Sequence, residues 1–548
     1  IVNPYGEWFP ARDQADGERL LGLVAGYIEA GGVWWETGGY PFYYFLVPRR
    51  HRSLGESHPS LWADFWHLES RAGQLACYGV QPDAEIFVPA QLETGAEARG
   101  AYFSRAWHTF VRPGERWTSP VVRLEVGGSM PQAARAYVAA NGLNRTLRHK
   151  MRPEVLARFR KSILLKYQGR CADQIKALPR LPGPCIIHHS NYLKGGFDKE
   201  YPDHLPVNPS FGTPEEFAEL FRLAKRSGHL MMPYTNPTWW CDEPRGPTFV
   251  KHGEAPLAIG LDGKRLMERY LTNVGWTTTL WHPAVVAANA EILRQFTEEY
   301  PVDILLQDQI GARRFRSDLN AASPTPYAYT QGLIELARHD SAVVPLATEN
   351  GFDRLINYES LFCGLSWSTV PTEGGPDWRR LWRDQYPADT YRISPIALWM
   401  AHDRCAFTHH DLGQFVTTPE SLAWSLVLGY QLSYRIVPET LDVPARRQWL
   451  TWLSRLQQSI VSRLIGEPLE NWTYLTEDVI RARYGPVTIA ANVGREPYRL
   501  NTRTTLAPYG FLATVRDGPR AGLLTRWEGI ERPAGVGFIQ DGDDVWGF

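Results

Sequence analysis

The 548-residue chain has almost no surplus charge: 58 Lys and Arg stand against 59 Asp and Glu, a formal net charge of −1. No basic block interrupts that balance, which argues against a nucleic-acid or anionic-membrane partner. Cysteine is scarce. The six, at 77, 171, 185, 241, 363 and 405, show no CxxC spacing, so no zinc or iron–sulfur site is expected, and a chain of this length needs no disulfide framework. No run of about 18 apolar residues is present to span a bilayer. No low-complexity linker divides the chain either, although its length implies several domains and a large core. The chain opens at Ile-Val-Asn-Pro without Met, which suggests that a leader or further sequence precedes it. Secretion, or a bacterial periplasm, is the expected address.

Aromatic residues, by contrast, are abundant: 12% of the chain, with 21 Trp and 25 Tyr. Most of them serve cores, but Trp and Tyr also pair an apolar face with a polar edge, which suits stacking on sugar rings.

Three rhythms follow one another. Residues 1–130 read as short aromatic and β-branched strands (GLVAGYIEA, GVWWETG, YPFYYFLVPRR, GQLACYGV, EIFVPAQLE, AYFSRAWHTFV, VVRLEV), which predicts an antiparallel sandwich. Residues 131–182 read as a helical linker. From 183 to 465 strands and helices alternate. PCIIHHSNYL is a strand, and FGTPEEFAELFRLAKRSG is its helix, with Thr213 as N-cap, Pro214 in the first turn and Gly228 as the stop. HLMMPYTNPTWW, VDILLQDQ, AVVPLATE, TYRISPIALWM and RCAFTHH follow as strands, and two more are expected within LAIGLDG and LINYESLFCG. PESLAWSLVLGYQLSY and PARRQWLTWLSRLQQSIVSRL read as helices. This pattern predicts a (β/α)8 TIM-type barrel, with a doubly wound sheet as the alternative. Residues 466–548 return to strands with Gly-rich turns, a small C-terminal β-sandwich.

Two carboxylates organise the middle section. VDILLQDQIGARR and AVVPLATENGFDRL each begin as a doubly buried strand and deliver one acid where polarity begins, Asp308 and Glu349. The helix-like segment between them makes the strands parallel neighbours, so both acids fall at C-terminal strand ends, the rim where barrel enzymes hold catalytic groups. Two acids on nearby strands are what glycosidic bond cleavage needs. A lone Asp in such a place is usually a helix cap, but Asp308 has no immediate helix to cap, and Glu349 lies in a turn-forming Thr-Glu-Asn-Gly.

Other polar residues share that rim. His188, His189 and Asn191 end one strand; Tyr234, Asn236, Trp239 and Trp240 end the next; His409, His410 and Asp411 end a late one. Gln309, Arg313, Asn350 and Asp353 flank the two acids. All are candidate substrate contacts. Strand neighbours point to opposite faces, so one member of each His pair is expected to be structural. Trp239 and Trp240 are the candidate sugar platform, with core packing as the rival. Arg313 or Arg314 is a candidate for keeping Asp308 ionised. A metal site from His409, His410 and Asp411 is disfavoured by their adjacency.

Together the architecture, with MMPYTNPTWW, QDQIG and ATENGFDRL on barrel strands, resembles a retaining glycoside hydrolase of the glycosidase-like group related to endo-α-N-acetylgalactosaminidases, and more distantly the α-galactosidases. The resemblance implies that Asp308 is the nucleophile and Glu349 the general acid/base, that the bond cut is α-linked, and that the substrate is an oligosaccharide, polysaccharide or glycoconjugate with no cofactor. An inverting hydrolase, a non-catalytic carbohydrate-binding barrel and metal-dependent hydrolysis are the rivals.

Overall fold

The computed structural model describes residues 2–3, 14–31, 35–36, 52–59, 61–70, 73–82, 86–97, 100–365, 394–410 and 413–548. At its centre stand eight parallel strands: β1 (Ile163–Tyr167), β2 (Cys185–His189), β3 (Leu230–Thr235), β4 (Leu305–Gln307), β5 (Leu346–Glu349), β6 (Glu359–Cys363), β7 (Ala406–Thr408) and β8 (Ser433–Ile436). They pair in chain order from β1 to β7, and β8 pairs with β1. The remaining gap is bridged by Gln431, whose N–H donates to the Phe407 carbonyl at 2.8 Å and whose carbonyl accepts from Thr408 Oγ1 at 3.1 Å. The result is a nearly closed parallel barrel. Within these strands only Glu349 and Arg435 are not buried, as expected of a sheet covered on both faces.

The two strands that seam this ring both depart from the expected pattern. Ile163–Tyr167 falls within the stretch that reads as a helical linker, and Ser433–Ile436 near the end of one that reads as a helix; the observed helices stop at Lys161 and Val427. LINYESLFCG does contain β6, but LAIGLDG forms only isolated bridges at Leu257 and Ile259. In TYRISPIALWM, the described part is the helix Ile396–Ala401 rather than a strand. The helix after β2 has the boundaries its caps dictate. Over Pro214–Arg226, the Glu216 N–H donates to Thr213 Oγ1 at 3.2 Å, the Thr213 N–H to Glu216 Oε2 at 3.0 Å, and Gly228 has φ of 82°.

Before the barrel lie two three-stranded antiparallel sheets, Arg52–Ser57 with Ala90–Glu97 and Gly100–Trp107, and Phe65–Ser70 with Gly73–Val80 and Val121–Val126. GLVAGYIEA, expected as a strand, belongs to the helix Gln14–Glu29. YPFYYFLVPRR lies outside the described residues. After the barrel comes one eight-stranded antiparallel sheet. Its long strands Thr504–Val515 and Arg520–Trp527 shift register at Leu506, a bulge that bends the sheet over a small core of Val479, Ala490, Leu506, Leu524 and Phe538. Between β3 and β4 the chain inserts a three-stranded sheet, Trp239–Cys241, Met267–Tyr270 and Asn273–Thr277.

Candidate active site

Both acids stand where their strands leave the barrel. Gln307 pairs with Thr348 across β4 and β5, so Asp308 and Glu349 follow at matched height on adjacent parallel strands. Both are partly exposed, whereas the residues around them, Tyr234, Asn236, Gln309 and His410, are buried. Side chains at matched positions on neighbouring strands project to the same side, with backbones about 4.8 Å apart.

Asp308 Oδ2 accepts from Tyr234 OH at 2.7 Å and from Asn236 Nδ2 at 3.2 Å. The Asn236 amide is itself oriented, because its oxygen accepts from the Thr238 N–H and Oγ1, each at 3.1 Å. Its backbone N–H donates to His204 Nε2 at 3.0 Å, while His204 Nδ1 bonds the Pro202 carbonyl at 2.7 Å. Burial pushes His204 down to about 4, which keeps the ring neutral with Nδ1 as donor. Glu349 Oε1 lies 2.7 Å from His410 Nε2. Thr348 Oγ1 ties the two acid loops, accepting from the Gly311 N–H at 2.8 Å and donating to the Gln307 carbonyl at 2.9 Å.

The loops after the acids touch through glycine. The Gly351 N–H donates to the Gly311 carbonyl at 3.2 Å, and a Cβ on Gly311 would stand 2.6 Å from the Glu349 carbonyl oxygen. A side chain at 311 would therefore force the two loops apart.

Three residues of this mouth carried no sequence signal strong enough to be singled out. Asp198, in the loop after β2, is raised to about 6 by burial, with the field of Glu349 adding to the rise while Asn273 and Tyr201 hydrogen bonds oppose it. Phe197, 38% exposed, packs on Tyr234 with ring centroids 5.1 Å apart. Tyr270, also 38% exposed, accepts from Gln309 Nε2 at 2.7 Å. A Gly-Gly-Phe-Asp loop after a barrel strand was the available hint for the first two.

Several expected contacts are placed elsewhere. Trp239 and Trp240 are fully buried in the inserted sheet and offer no face to a sugar; the edge of Trp239 covers Gly275. Arg313 is engaged by the inserted sheet and its neighbours. It is 3% exposed, bonds both oxygens of Glu268 at 2.5 Å and Thr238 Oγ1 at 2.9 Å, and also donates to Gln309 Oε1, clamping the insertion to the barrel. Arg314 is exposed. Asp353 is fully buried at the junction with the N-terminal sheets, where it bonds His58, Tyr137 and Arg354; burial pushes its carboxyl up, but these neighbours outweigh that and hold it below the usual carboxylate range. Asn191 is exposed in the loop after β2, and Asp411 lies outside the described residues.

The histidine pairs divide as strand alternation requires. His189 packs among Tyr192, Phe211, Phe217 and Phe221 under the helix layer, and burial pushes it down to about 3. His188 therefore points to the barrel interior, where Nδ1 lies 3.0 Å from the Met232 carbonyl. His409 turns outward to Ser425 Oγ at 2.7 Å, and burial lowers it too to about 3. His410 turns inward to Glu349. Asn350 follows Glu349 with its N–H on the Cys363 carbonyl at 2.6 Å and its amide oxygen beside Gly364.

No family model and no curated protein sequence matches the chain. Among solved structures it is similar to the α-N-acetylgalactosaminidase NagBb from Bifidobacterium bifidum. The ligand-free form is 13% identical with a TM-score of 0.58, over 79% of this chain and 74% of that one. The complex with GalNAc is 13% identical with a TM-score of 0.60, over 79% and 72%. It is also similar to the GH36 α-galactosidase AgaA from Geobacillus stearothermophilus, 11% identical with a TM-score of 0.55, over 91% and 71%. At such identities the likeness is one of fold.

Proposed function

We propose that this chain is a retaining glycoside hydrolase that cuts an α-linked sugar, with Asp308 as nucleophile and Glu349 as general acid/base. The observation that carries the reading is the register of the two acids. Retaining enzymes hold their carboxyls about 5 to 5.5 Å apart, against about 6.5 to 9.5 Å for inverting ones. Matched positions on adjacent strands favour the shorter separation. The α linkage is supported by the similar structures, an α-N-acetylgalactosaminidase and an α-galactosidase.

In the first step a carboxylate oxygen of Asp308 bonds the anomeric carbon as the glycosidic C–O bond breaks, and Glu349 gives its proton to the leaving oxygen. Tyr234 and Asn236 fix the plane of the attacking carboxylate. In the second step Glu349 takes a proton from water, which displaces Asp308 and restores the original anomeric configuration. Phe197, Asp198, Tyr270 and Asn350 are the residues placed to meet substrate around the acids.

Product stereochemistry tests the reading. Incubation with aryl α-glycosides, followed by proton NMR before mutarotation, should show the α-anomer first. Asp308→Ala should then lose activity on every substrate. Glu349→Ala should keep the first step on activated aryl glycosides and yield an α-glycosyl azide when azide is added. A β-product from the wild-type enzyme, or full activity in both variants, overturns the assignment.

A further inference from the structure

The contact between His410 and Glu349 assigns His410 a task other than binding sugar. We infer that His410 is the positioning residue of the acid/base: its Nε2–H donates to Glu349 Oε1, so that Oε2 carries the proton that is delivered and recovered. The inference rests on the reading of Glu349 as acid/base. The Nε2 to Oε1 distance is 2.7 Å, and the His410 side chain is 5% exposed against 20% for that of Glu349, so the histidine is the more deeply set partner and engages one of the two carboxyl oxygens.

The strand end that carries the ring is held from several directions. The His410 carbonyl accepts from the Gln414 N–H at 3.0 Å, and the neighbouring His409 is pinned on the other side of the strand to Ser425. The backbone of Gly364, at φ of 112°, passes so close that a Cβ there would stand 2.7 Å from His410 Cδ2 and 3.0 Å from the Asn350 amide oxygen. Only glycine permits that approach, so the backbone of Gly364 closes off the Cδ2 side of the imidazole.

The consequence for the chemistry is specific. A carboxyl that protonates a leaving group becomes a carboxylate in the transition state, and a donor already aimed at its second oxygen stabilises that charge without reorganisation. The gain appears only when a proton must be delivered. It is absent for leaving groups acidic enough to depart unaided.

The test compares two α-glycosides of one sugar, with 2,4-dinitrophenol and methanol as leaving groups. His410→Met removes the donor, whereas His410→Gln replaces it at a similar reach. His410→Met is expected to lower kcat/KM for the methyl glycoside about 10- to 100-fold and for the dinitrophenyl glycoside less than about threefold, with KM little changed. His410→Gln should recover most of the loss. Equal losses on both substrates, or none on either, overturn the inference. Glu349→Ala, run beside them, separates the two failures: if it too shows no dependence on leaving group, the acid/base assignment itself is wrong. Should His410→Met not fold, 15N NMR of histidine-labelled wild-type enzyme decides. A hydrogen on Nε2 whose resonance moves in Glu349→Gln supports the inference, and a bare Nε2 overturns it.

Discussion

Gln309 and Asn350 both adopt the left-handed backbone conformation, at φ of 65° and 53°, and each directly follows one of the two carboxylates. Such conformations are uncommon outside glycine, and Gln is less tolerant of them than Asn. The surroundings hold them: the Gln309 side chain bonds Tyr270, Thr238 and Arg313, and the Asn350 N–H bonds the end of β6. The turn sends the chain sideways at once, so each acid is the last residue to project along its strand. Strain of this kind at two matched positions marks the place where the fold gives up local comfort for the geometry of a site.

If Tyr234 holds Asp308 for attack, Tyr234→Phe should lower kcat about 10- to 100-fold while leaving KM nearly unchanged. That range corresponds to about 1.5 to 3 kcal/mol for a hydrogen bond to a charged group. Steady-state kinetics on an aryl α-glycoside checks this, with thermal unfolding as the control for folding.

Asp198 should make the fold depend on pH. Burial raises its carboxyl from 3.8 to about 6. The unfolded chain therefore loses this proton first, and stability contributed below pH 4 is lost as pH rises toward 6 and stays lost above it. Asp198→Asn should remove that slope and be the more stable protein above pH 6, by up to about 3 kcal/mol. Urea unfolding of both proteins between pH 4 and 7 measures the difference, and parallel curves would count against it.

Glu268→Gln should leave the guanidinium groups of the buried Arg313 and of the neighbouring Arg316 without their shared counter-ion. Breaking one side of such a pair costs about 3 kcal/mol, whereas replacing both sides with apolar residues costs far less. Guanidinium unfolding should accordingly show Glu268→Gln strongly destabilised and the triple variant Arg313→Met, Arg316→Met, Glu268→Leu closer to wild type.

Gly311→Ala should be destabilised by about 1 to 3 kcal/mol, because the added carbon meets the backbone of Glu349 and Gly351 rather than a side chain that could move. Turnover should fall further than stability, since the same shift displaces the Glu349 loop. A variant with wild-type melting temperature and activity would show that the two loops separate freely.

The sequence by itself determined the alternation of strand and helix, the helix boundaries around Thr213 and Gly228, and the pairing of Asp308 with Glu349 at the ends of successive strands. Each of those rests on contacts within a few residues, where capping, glycine and apolar runs act. The seam of the barrel was decided otherwise. Ile163–Tyr167 and Ser433–Ile436 are four or five residues long, too short to show a period, and helix-forming sequence leads into each; they are strands because each is the other's neighbour across about 270 residues. Tertiary structure also decided which histidine of each pair faces the barrel. Alternation requires that one does, but only the side on which the helices pack determines which one. The same holds for Arg313, whose counter-ion Glu268 comes from an inserted hairpin, and for Trp239 and Trp240, whose faces that insertion buries. A residue's chemistry is written in the chain, but the direction in which it points is set by what covers the other side.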